Sequence, residues 1–392
     1  MIRQKVATKK LSDAKNLDRL SVALAHDFLI YLGGAERVLQ AIARLFPQAP
    51  IYTLLKNQKT VRSLNLSDSR IIPSFLNQAH YIVPHRWLLP FYSLAVESID
   101  LRDFDLIISS TSSFMKGVIV KPRTFHVCYC HTPTRYLWDL SEKYLDNALS
   151  GNSLKIPTGL VAKVVLNYLR LWDHSAARRV DLFIANSKFT AKRIRKYYQR
   201  KSRVVYPPVA VDKFSPSADR GRYFLVVSRL SSYKKIDLVV EAFNRLKWPL
   251  VVAGTGAEKN RLRKLAGPNI RIVGFVKEKK LPKLYAGARA LIFPGEDDFG
   301  ITIVEAMASG KPTLALRAGG ALEIVKEGKT GEFFDAPEVE ILVDGLRRLV
   351  ENERKYSPQY IRSQAEKFSV DNFRKNFMEA VRVATNNLKF EI

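Results

Sequence analysis

The sequence predicts an α/β protein made of two doubly wound units, each a parallel sheet flanked by helices, with one long helix closing the chain. Three observations carry this. Short apolar runs of strand length alternate with segments of helical periodicity, a recurrence that suits parallel sheets and not a β-sandwich. The alternation breaks once, at residues 206–216 (YPPVAVDKFSP), where paired prolines disfavour a continuing helix, and then restarts. The 392 residues, 47% of them apolar, provide material for two sizeable cores.

In the first unit, SVALAHDF at residues 21–28 reads as a buried strand, because parallel strands covered on both faces are nearly continuous apolar runs. A glycine turn follows, and then AERVLQAIARLF, in which Ala35, Val38, Leu39, Ile42 and Phe46 share one helical face. Further strands are expected at residues 105–110 (DLIISS), 125–130 (FHVCYC) and 180–187 (VDLFIANS). In the second unit YFLVVSRL, PLVVAG, IRIVGF, ARALIF and PTLALR read as strands joined by helices. The last segment, FSVDNFRKNFMEAVRVATNNL, repeats Phe373, Phe377 and Val381 at helical spacing, and this helix is expected to lie across the domain junction. The expected divisions are a basic lead-in over 1–20, a first domain over 21–208, a second over 209–367, and a terminal helix and tail over 368–392.

Net charge is +27, from 64 basic and 37 acidic side chains, which favours a phosphate-rich ligand, an anionic membrane surface or nucleic acid without choosing among them. The basic runs at 192–201 (KRIRKYYQRK) and 277–283 (KEKKLPK) read equally well as solvated surface. There is no helix-turn-helix or zinc-finger signature and no aromatic spacing that defines a stacking groove, so nucleic acid is not the expected partner. Cys128 and Cys130 are the only cysteines, which fits a reducing compartment and excludes a dense disulfide framework. His126, Cys128, Cys130 and His131 lack the separated paired ligands of a closed zinc site, and no metal is expected. No long apolar segment or secretory leader is evident, so an integral span is not expected. The aromatic stretches 81–96 (YIVPHRWLLPFYSLAV) and 156–172 (IPTGLVAKVVLNYLRLW) are candidates for peripheral contacts, although most of their apolar residues are expected in a core.

The chemistry-bearing motifs of the second unit begin with Ser228-Arg229-Leu230 at a strand end, followed by Lys234 and Lys235 near a helix start. Arg229 offers directional hydrogen bonds to phosphoryl oxygens and Lys234 a mobile point charge, although two solvent-facing cations would have the same spacing. Gly254-Thr255-Gly256 permits a tight turn against a ligand, yet glycine also ends strands for conformational reasons alone. Neither a full GxGxxG fingerprint nor a phosphate-binding GxxxxGK[ST] loop is present. FPGEDDFGITIVEAMASG sets Glu296 and Asp297 before Phe299-Gly300 and opens a helix near Gly300 and Ile301, with Glu305 inside it. Helix-start N–H groups bind diphosphate, and the two carboxylates, eight positions apart, suit sugar and ribose hydroxyls. A helix-face salt bridge is the plainer use of Glu305.

In the first unit His26-Asp27 ends the first strand and leads to Gly33-Gly34, where the new helix presents free N–H groups to a diphosphate or acceptor. An efficient strand-to-helix turn has the same appearance. His131 follows the FHVCYC strand within YCHTPTRYLWD and is placed to orient a sugar hydroxyl, with Arg135 suited to an acceptor phosphate. Read alone, a single histidine favours a structural or surface role.

Taken in order, these motifs resemble the retaining glycosyltransferases of the GT-B fold, within them the GT4 family that includes bacterial mannosyltransferases and glycogen and sucrose synthases. The resemblance spans most of residues 21–388. It implies two Rossmann-like domains facing across a cleft, the nucleotide sugar on the C-terminal domain, much of the acceptor site on the N-terminal one, and a last helix crossing back. By resemblance Arg229 and Lys234 are the cationic pair for the donor diphosphate, Asp297 faces sugar hydroxyls, Glu305 faces ribose, and His131 is a cleft histidine near the transferred sugar. Asp297 stands where glutamate is usual, so its shorter side chain needs a closer backbone or help from Glu296. Gly33, Gly34, Gly254, Gly256, Phe299, Gly300 and Ile301 complete the implied donor-binding set.

The YCHTPTRYLWD segment looks most like mannosyltransferases of surface-polysaccharide assembly. The implied reaction moves mannose from GDP-mannose, with retention, to a saccharide or polyprenyl-diphosphate-linked glycan, in the cytoplasm or at the inner face of the cell membrane, without a cofactor. Transfer from a UDP-hexose is the alternative within the enzyme class. A non-catalytic module binding anionic glycan or nucleic acid is the alternative outside it.

Overall fold

The computed structural model describes residues 20–139, 158–217 and 219–387. The basic lead-in apart from Leu20, the start of the 156–172 stretch and the tail after Asn387 lie outside the described residues. The chain separates into two compact units, one running to Tyr206 and resuming at Arg374, the other Pro207–Phe373.

The first unit contains strands β1 (Val22–Leu29), β2 (Ile51–Lys56), β3 (Ile71–Pro73), β4 (Leu106–Thr111), β5 (Phe125–Cys130), β6 (Leu182–Ala185) and β7 (Ser202–Val204). They form one parallel sheet in the order β3-β2-β1-β4-β5-β6-β7. β4 and β5 are buried along their whole length, which is why their sequences read as apolar or small-residue runs, interrupted in β5 by the buried His126. Helix α1 (Gly34–Leu45) buries Val38, Leu39, Ile42 and Ala43 and carries Glu36 in its first turn and Arg44 in its last, both favourable to the helix dipole. Helix α2 (Thr158–Arg178) and helix α3 (Lys188–Tyr198) flank β6. The Ser187 side chain caps α3 by accepting the Thr190 N–H at 2.9 Å, and left-handed Gln199 ends it.

The second unit contains β8 (Tyr223–Val227), β9 (Leu250–Ala253), β10 (Ile270–Gly274), β11 (Ala288–Phe293), β12 (Thr313–Leu316) and β13 (Gly331–Phe334). Their order is β10-β9-β8-β11-β12-β13, again parallel throughout. Helices α4 (Ile236–Leu246), α5 (Ile301–Ala308), α6 (Val339–Glu351) and α7 (Pro358–Ala365) belong to this unit. Helix α8 (Val370–Asn387) starts with it and belongs to the first unit from Arg374 onward, with Phe373, Phe377 and Val381 all buried.

Strand order reverses between β1 and β4 in the first sheet and between β8 and β11 in the second. In open parallel sheets the loops leaving the carboxyl ends of strands at such a reversal diverge and leave a crevice for ligand. Strands β2, β3, β7 and β13 lie away from these reversals and escape the sequence reading. β3 and β7 are three residues each, and β13 interrupts its apolar run with Glu332, which is buried against the Tyr356 hydroxyl at 2.6 Å.

The two aromatic stretches of the first unit divide between core and surface. Leu88, Tyr92, Ala95, Val96, Leu166 and Leu169 are buried. Tyr81, Ile82, Trp87, Phe91 and Leu94, together with Val161, Val164, Tyr168 and Leu171 of α2, are between 52% and 87% exposed. Their elements adjoin: Ser93 Oγ lies 3.3 Å from Tyr168 Oη, and Glu97 accepts from Trp172 Nε1 at 2.8 Å. Among the described residues no helix is long and apolar enough to cross a membrane.

Candidate active site

At the reversal of the second sheet, β8 runs into Ser228-Arg229-Leu230 and β11 runs into residues 294–300. Arg229 is exposed and makes no ion pair with a described residue. Lys234 lies in a short 3-10 turn and pairs through its ammonium with the Asp297 carboxylate, both largely shielded from solvent. The sequence reading gave Lys234 to diphosphate and Asp297 to sugar hydroxyls; the fold brings these two groups together, so each holds the other's charge. Gly295 passes close to the Lys234 backbone, since a Cβ there would stand 3.1 Å from Lys234 Cα.

The glycines after β9 pack closely against the strand end that bears Arg229. A Cβ on Gly254 would lie 1.8 Å from the Ser228 carbonyl oxygen, and one on Gly256 would lie 2.1 Å from that of Leu230. Both faces are turned to the chain's own backbone, where Leu230 N–H donates to the Thr255 carbonyl at 2.8 Å. Their absent side chains let the β9 loop seat the strand end that bears Arg229.

Gly300, at φ +111, precedes α5 with no side-chain cap, and Ile301 opens the helix; the Ile303 N–H donates to the Gly300 carbonyl at 3.0 Å, which leaves the Ile301 and Thr302 N–H groups for an anion. Phe299 is buried with its ring edge-on to Phe368 at 5.3 Å, a core contact, and Glu296 is exposed. Glu305 is 3% exposed and accepts a 2.7 Å hydrogen bond from the buried Tyr285 hydroxyl. That hydroxyl supplies the polar partner a buried carboxylate requires, and no sequence signal pointed to Tyr285.

In the first unit, Gly33 caps α1 with extended backbone at φ −147, a conformation open to any residue, and Gly34 is the first helical residue. Asp27, 3% exposed, organises the loop after β4. Its carboxylate accepts the Thr111 hydroxyl at 2.8 Å and the backbone N–H groups of Ser112, Phe114 and Met115 at 2.6, 3.0 and 2.8 Å. His131 follows β5, its N–H bonded to the Thr111 carbonyl at 2.8 Å and its ring edge-on to Tyr129 at 5.2 Å. Burial, and then neighbouring His26, push its imidazole down to about 3, so the ring is neutral at physiological pH.

The family model described as Glycosyltransferase Family 4 matches residues 32–213, and that described as Glycosyl transferases group 1 matches residues 210–368. Between them they run from residue 32, just after β1, to residue 368 and take in the switch point of the second sheet. The chain belongs to glycosyltransferase family 4. Among curated relatives of this GT4 chain, a D-inositol 3-phosphate glycosyltransferase of Nocardioides sp. is 27% identical over 46% of the chain and 48% of its own length. A GDP-mannose-dependent alpha-mannosyltransferase of Corynebacterium glutamicum is 34% identical over 28% of the chain and 26% of its own length. The alignments thus span about half or less of these relatives. Anabaena HepE, solved in complex with UDP-glucose, superposes with a TM-score of 0.67 at 18% identity, covering 93% of this chain and 99% of that one. That likeness speaks for the fold, which is GT-B.

The GT4 chain also holds a buried network that its sequence does not announce. Lys116 and Asp173, each 1% exposed, pair at 2.5 Å. Asp173 further accepts from Thr134 Oγ1, Trp138 Nε1 and Tyr198 Oη, each at 2.8 Å. The loops after β4 and β5 are thereby tied to α2 and α3. The charge run of α3 has one inward member, Arg193, bonded to Asp139, while Lys192, Arg195 and Lys196 face solvent. Cys128 and Cys130 are free thiols in the core beside Phe183 and Tyr198. Burial raises the Cys128 thiol to about 12. Among the described residues no group of His, Cys, Asp and Glu side chains is placed to hold a metal ion.

Proposed function

We propose that this chain is a retaining glycosyltransferase that moves mannose from GDP-mannose to a saccharide or a lipid-linked oligosaccharide in surface-polysaccharide synthesis. One observation carries the reading: exposed Arg229, the Lys234–Asp297 pair and the uncapped start of α5 converge where the second sheet reverses. Cations and helix N–H groups at one crevice suit a leaving nucleoside diphosphate, whose charge grows as its bond to the sugar breaks. Bound diphosphate competes with Asp297 for Lys234 and frees the carboxylate for sugar hydroxyls. The C1–O bond to diphosphate breaks, the acceptor oxygen bonds C1 on the same face, and the hydroxyl proton passes to a diphosphate oxygen. His131 of the first unit is assigned to a sugar hydroxyl and Glu305 to ribose. Similarity to the mannosyltransferase relative supports the choice of GDP-mannose.

The same proposal places the protein at the inner face of the cell membrane as a peripheral protein. Its support is the exposed set Tyr81, Ile82, Trp87, Phe91, Leu94, Val161, Val164, Tyr168 and Leu171 in the first unit. Residues 81–96 and 158–172 hold Arg86, Lys163 and Arg170 and no Asp or Glu, a balance suited to anionic lipid headgroups.

Nucleotide release measured with labelled-sugar transfer tests the reaction, comparing GDP-mannose with UDP-hexoses over a pool of lipid-linked glycans. Mannosyl transfer from GDP-mannose, reduced about 100-fold by Arg229→Ala and strongly by Glu305→Ala, is expected. Transfer only from a UDP-hexose overturns the donor, and transfer from none favours a non-catalytic binding module.

A further inference from the structure

Four side chains form one chain of contacts at the reversal of the first sheet. His26 and Ser110 are register neighbours on β1 and β4, and both are buried. Ser110 Oγ lies 3.2 Å from His26 Nδ1 and 2.9 Å from His131 Nε2, while His26 Nε2 lies 3.6 Å from Glu36 Oε1 at the start of α1. The other β-sheet neighbour of His26 is Thr53, which is uncharged, and the Asp27 carboxylate is taken up by the loop after β4. His131 Nδ1 makes no hydrogen bond to a described residue, and His131 as a whole is half-buried.

Proton counting restricts this arrangement. One serine hydroxyl has one proton and lies between two imidazole nitrogens, so it donates to one and accepts from the other. With a single ring proton, His26 carries it on Nε2, the nitrogen facing the Glu36 carboxylate, and leaves Nδ1 bare. Ser110 then donates to His26 Nδ1, and its oxygen accepts from His131 Nε2–H. A neutral His131 with its proton on Nε2 presents Nδ1 as a lone-pair acceptor.

We propose that Glu36, His26 and Ser110 are positioning residues that fix His131 as the Nε2–H tautomer, so that it receives a hydrogen bond from a ligand hydroxyl at Nδ1. The inference rests on the reading of His131 as a sugar-hydroxyl contact, and it assigns the direction of that contact: the sugar donates and the protein accepts. A ligand that has lost the hydroxyl, or carries only an acceptor there, is discriminated against.

Nitrogen-15 NMR of histidine-labelled full chain at neutral pH, with His131→Asn to assign the signal, reads the tautomer without reference to sugar transfer. The expected result is Nε2–H in the wild type, a mixture in Ser110→Ala and Glu36→Ala, and recovery in Ser110→Thr, which keeps the hydroxyl. Nδ1–H in the wild type, or a tautomer unchanged in the Glu36→Ala and Ser110→Ala proteins, overturns the proposal even if sugar transfer is found. A wild-type Nε2–H signal that responds to these substitutions upholds it even if the donor proves different. In the transfer assay Ser110→Ala costs up to about tenfold, the value of one neutral hydrogen bond, with recovery in Ser110→Thr.

Discussion

Replacing Lys116 by methionine removes one half of an ion pair in which both partners are 1% exposed, and leaves the Asp173 carboxylate inside the first unit without its counter-charge. Breaking a buried pair on one side costs about 3–5 kcal/mol, because the desolvation of the remaining charge is no longer offset. Asp173 keeps donors from Thr134, Trp138 and Tyr198, which stabilise the lone carboxylate and place the expected loss near the lower figure, about 3 kcal/mol. For a unit of this size that corresponds to a fall in melting temperature of about 6–12 °C. Urea titration followed by tryptophan fluorescence is suited to the measurement, since Trp87, Trp138 and Trp172 lie in the first unit and only Trp248 in the second. Adding Asp173→Asn to Lys116→Met removes the stranded charge while retaining an acceptor, and is expected to recover part of the loss, so the two effects do not add. A Lys116→Met protein within about 1 kcal/mol of wild type, or a double variant no more stable than the single, refutes the reasoning.

Burial, assisted by Arg179, pushes His126 down to about 3, as burial and His26 do for His131. Below about pH 6.5 the unfolded chain takes up protons that the folded chain refuses, so these histidines lower stability as pH falls from about 6.5 towards about 3, by up to about 1.4 kcal/mol per pH unit each. His131→Asn is therefore expected to narrow the stability difference between about pH 7 and about pH 5 by about 2 kcal/mol in urea titrations, and equal differences in the two proteins count against it. Sedimentation with vesicles tests the exposed apolar surface: wild type binds anionic vesicles, and Trp87→Asp with Leu171→Asp weakens binding at least about tenfold while leaving the unfolding midpoint near wild type. Equal binding by that variant, or self-association of wild type that the variant abolishes, contradicts a lipid-facing role.

Much of the geometry at the reversal of the second sheet was legible along the chain because it is local. Arg229 ends a strand, Gly300 starts a helix and Glu305 sits one turn into it, and a short segment carries these relations wherever it folds. The two glycines after β9 were legible as a turn but not as a support, because what they approach, the backbone of residues 228–230, is more than twenty positions away. Lys234 and Asp297 were each found, yet their pairing was not, since 63 positions separate them. Tyr285 was missed altogether: a tyrosine in an apolar segment carries no mark of the carboxylate its hydroxyl will meet. The aromatic stretches show the same limit, because Leu88 and Trp87 are neighbours in sequence and one is buried while the other is exposed.

By itself the sequence determined the α/β class, the restart after residues 206–216, the central strands of both sheets and the residue types for a phosphate-bearing ligand. Periodicity, turn chemistry and strand-end motifs are properties of contiguous residues, and the hydrophobic effect acts on them in any context. The tertiary structure alone decided the strand order, and with it which loops share a reversal point. It also decided the Lys116–Asp173 pair, the Asp27 anchor and the Glu36–His26–Ser110–His131 relay. Those contacts join residues as much as 84 positions apart, and the side chains' hydrogen-bonding capacity admits many partners, so only the packing of sheet on helix selects the ones that form.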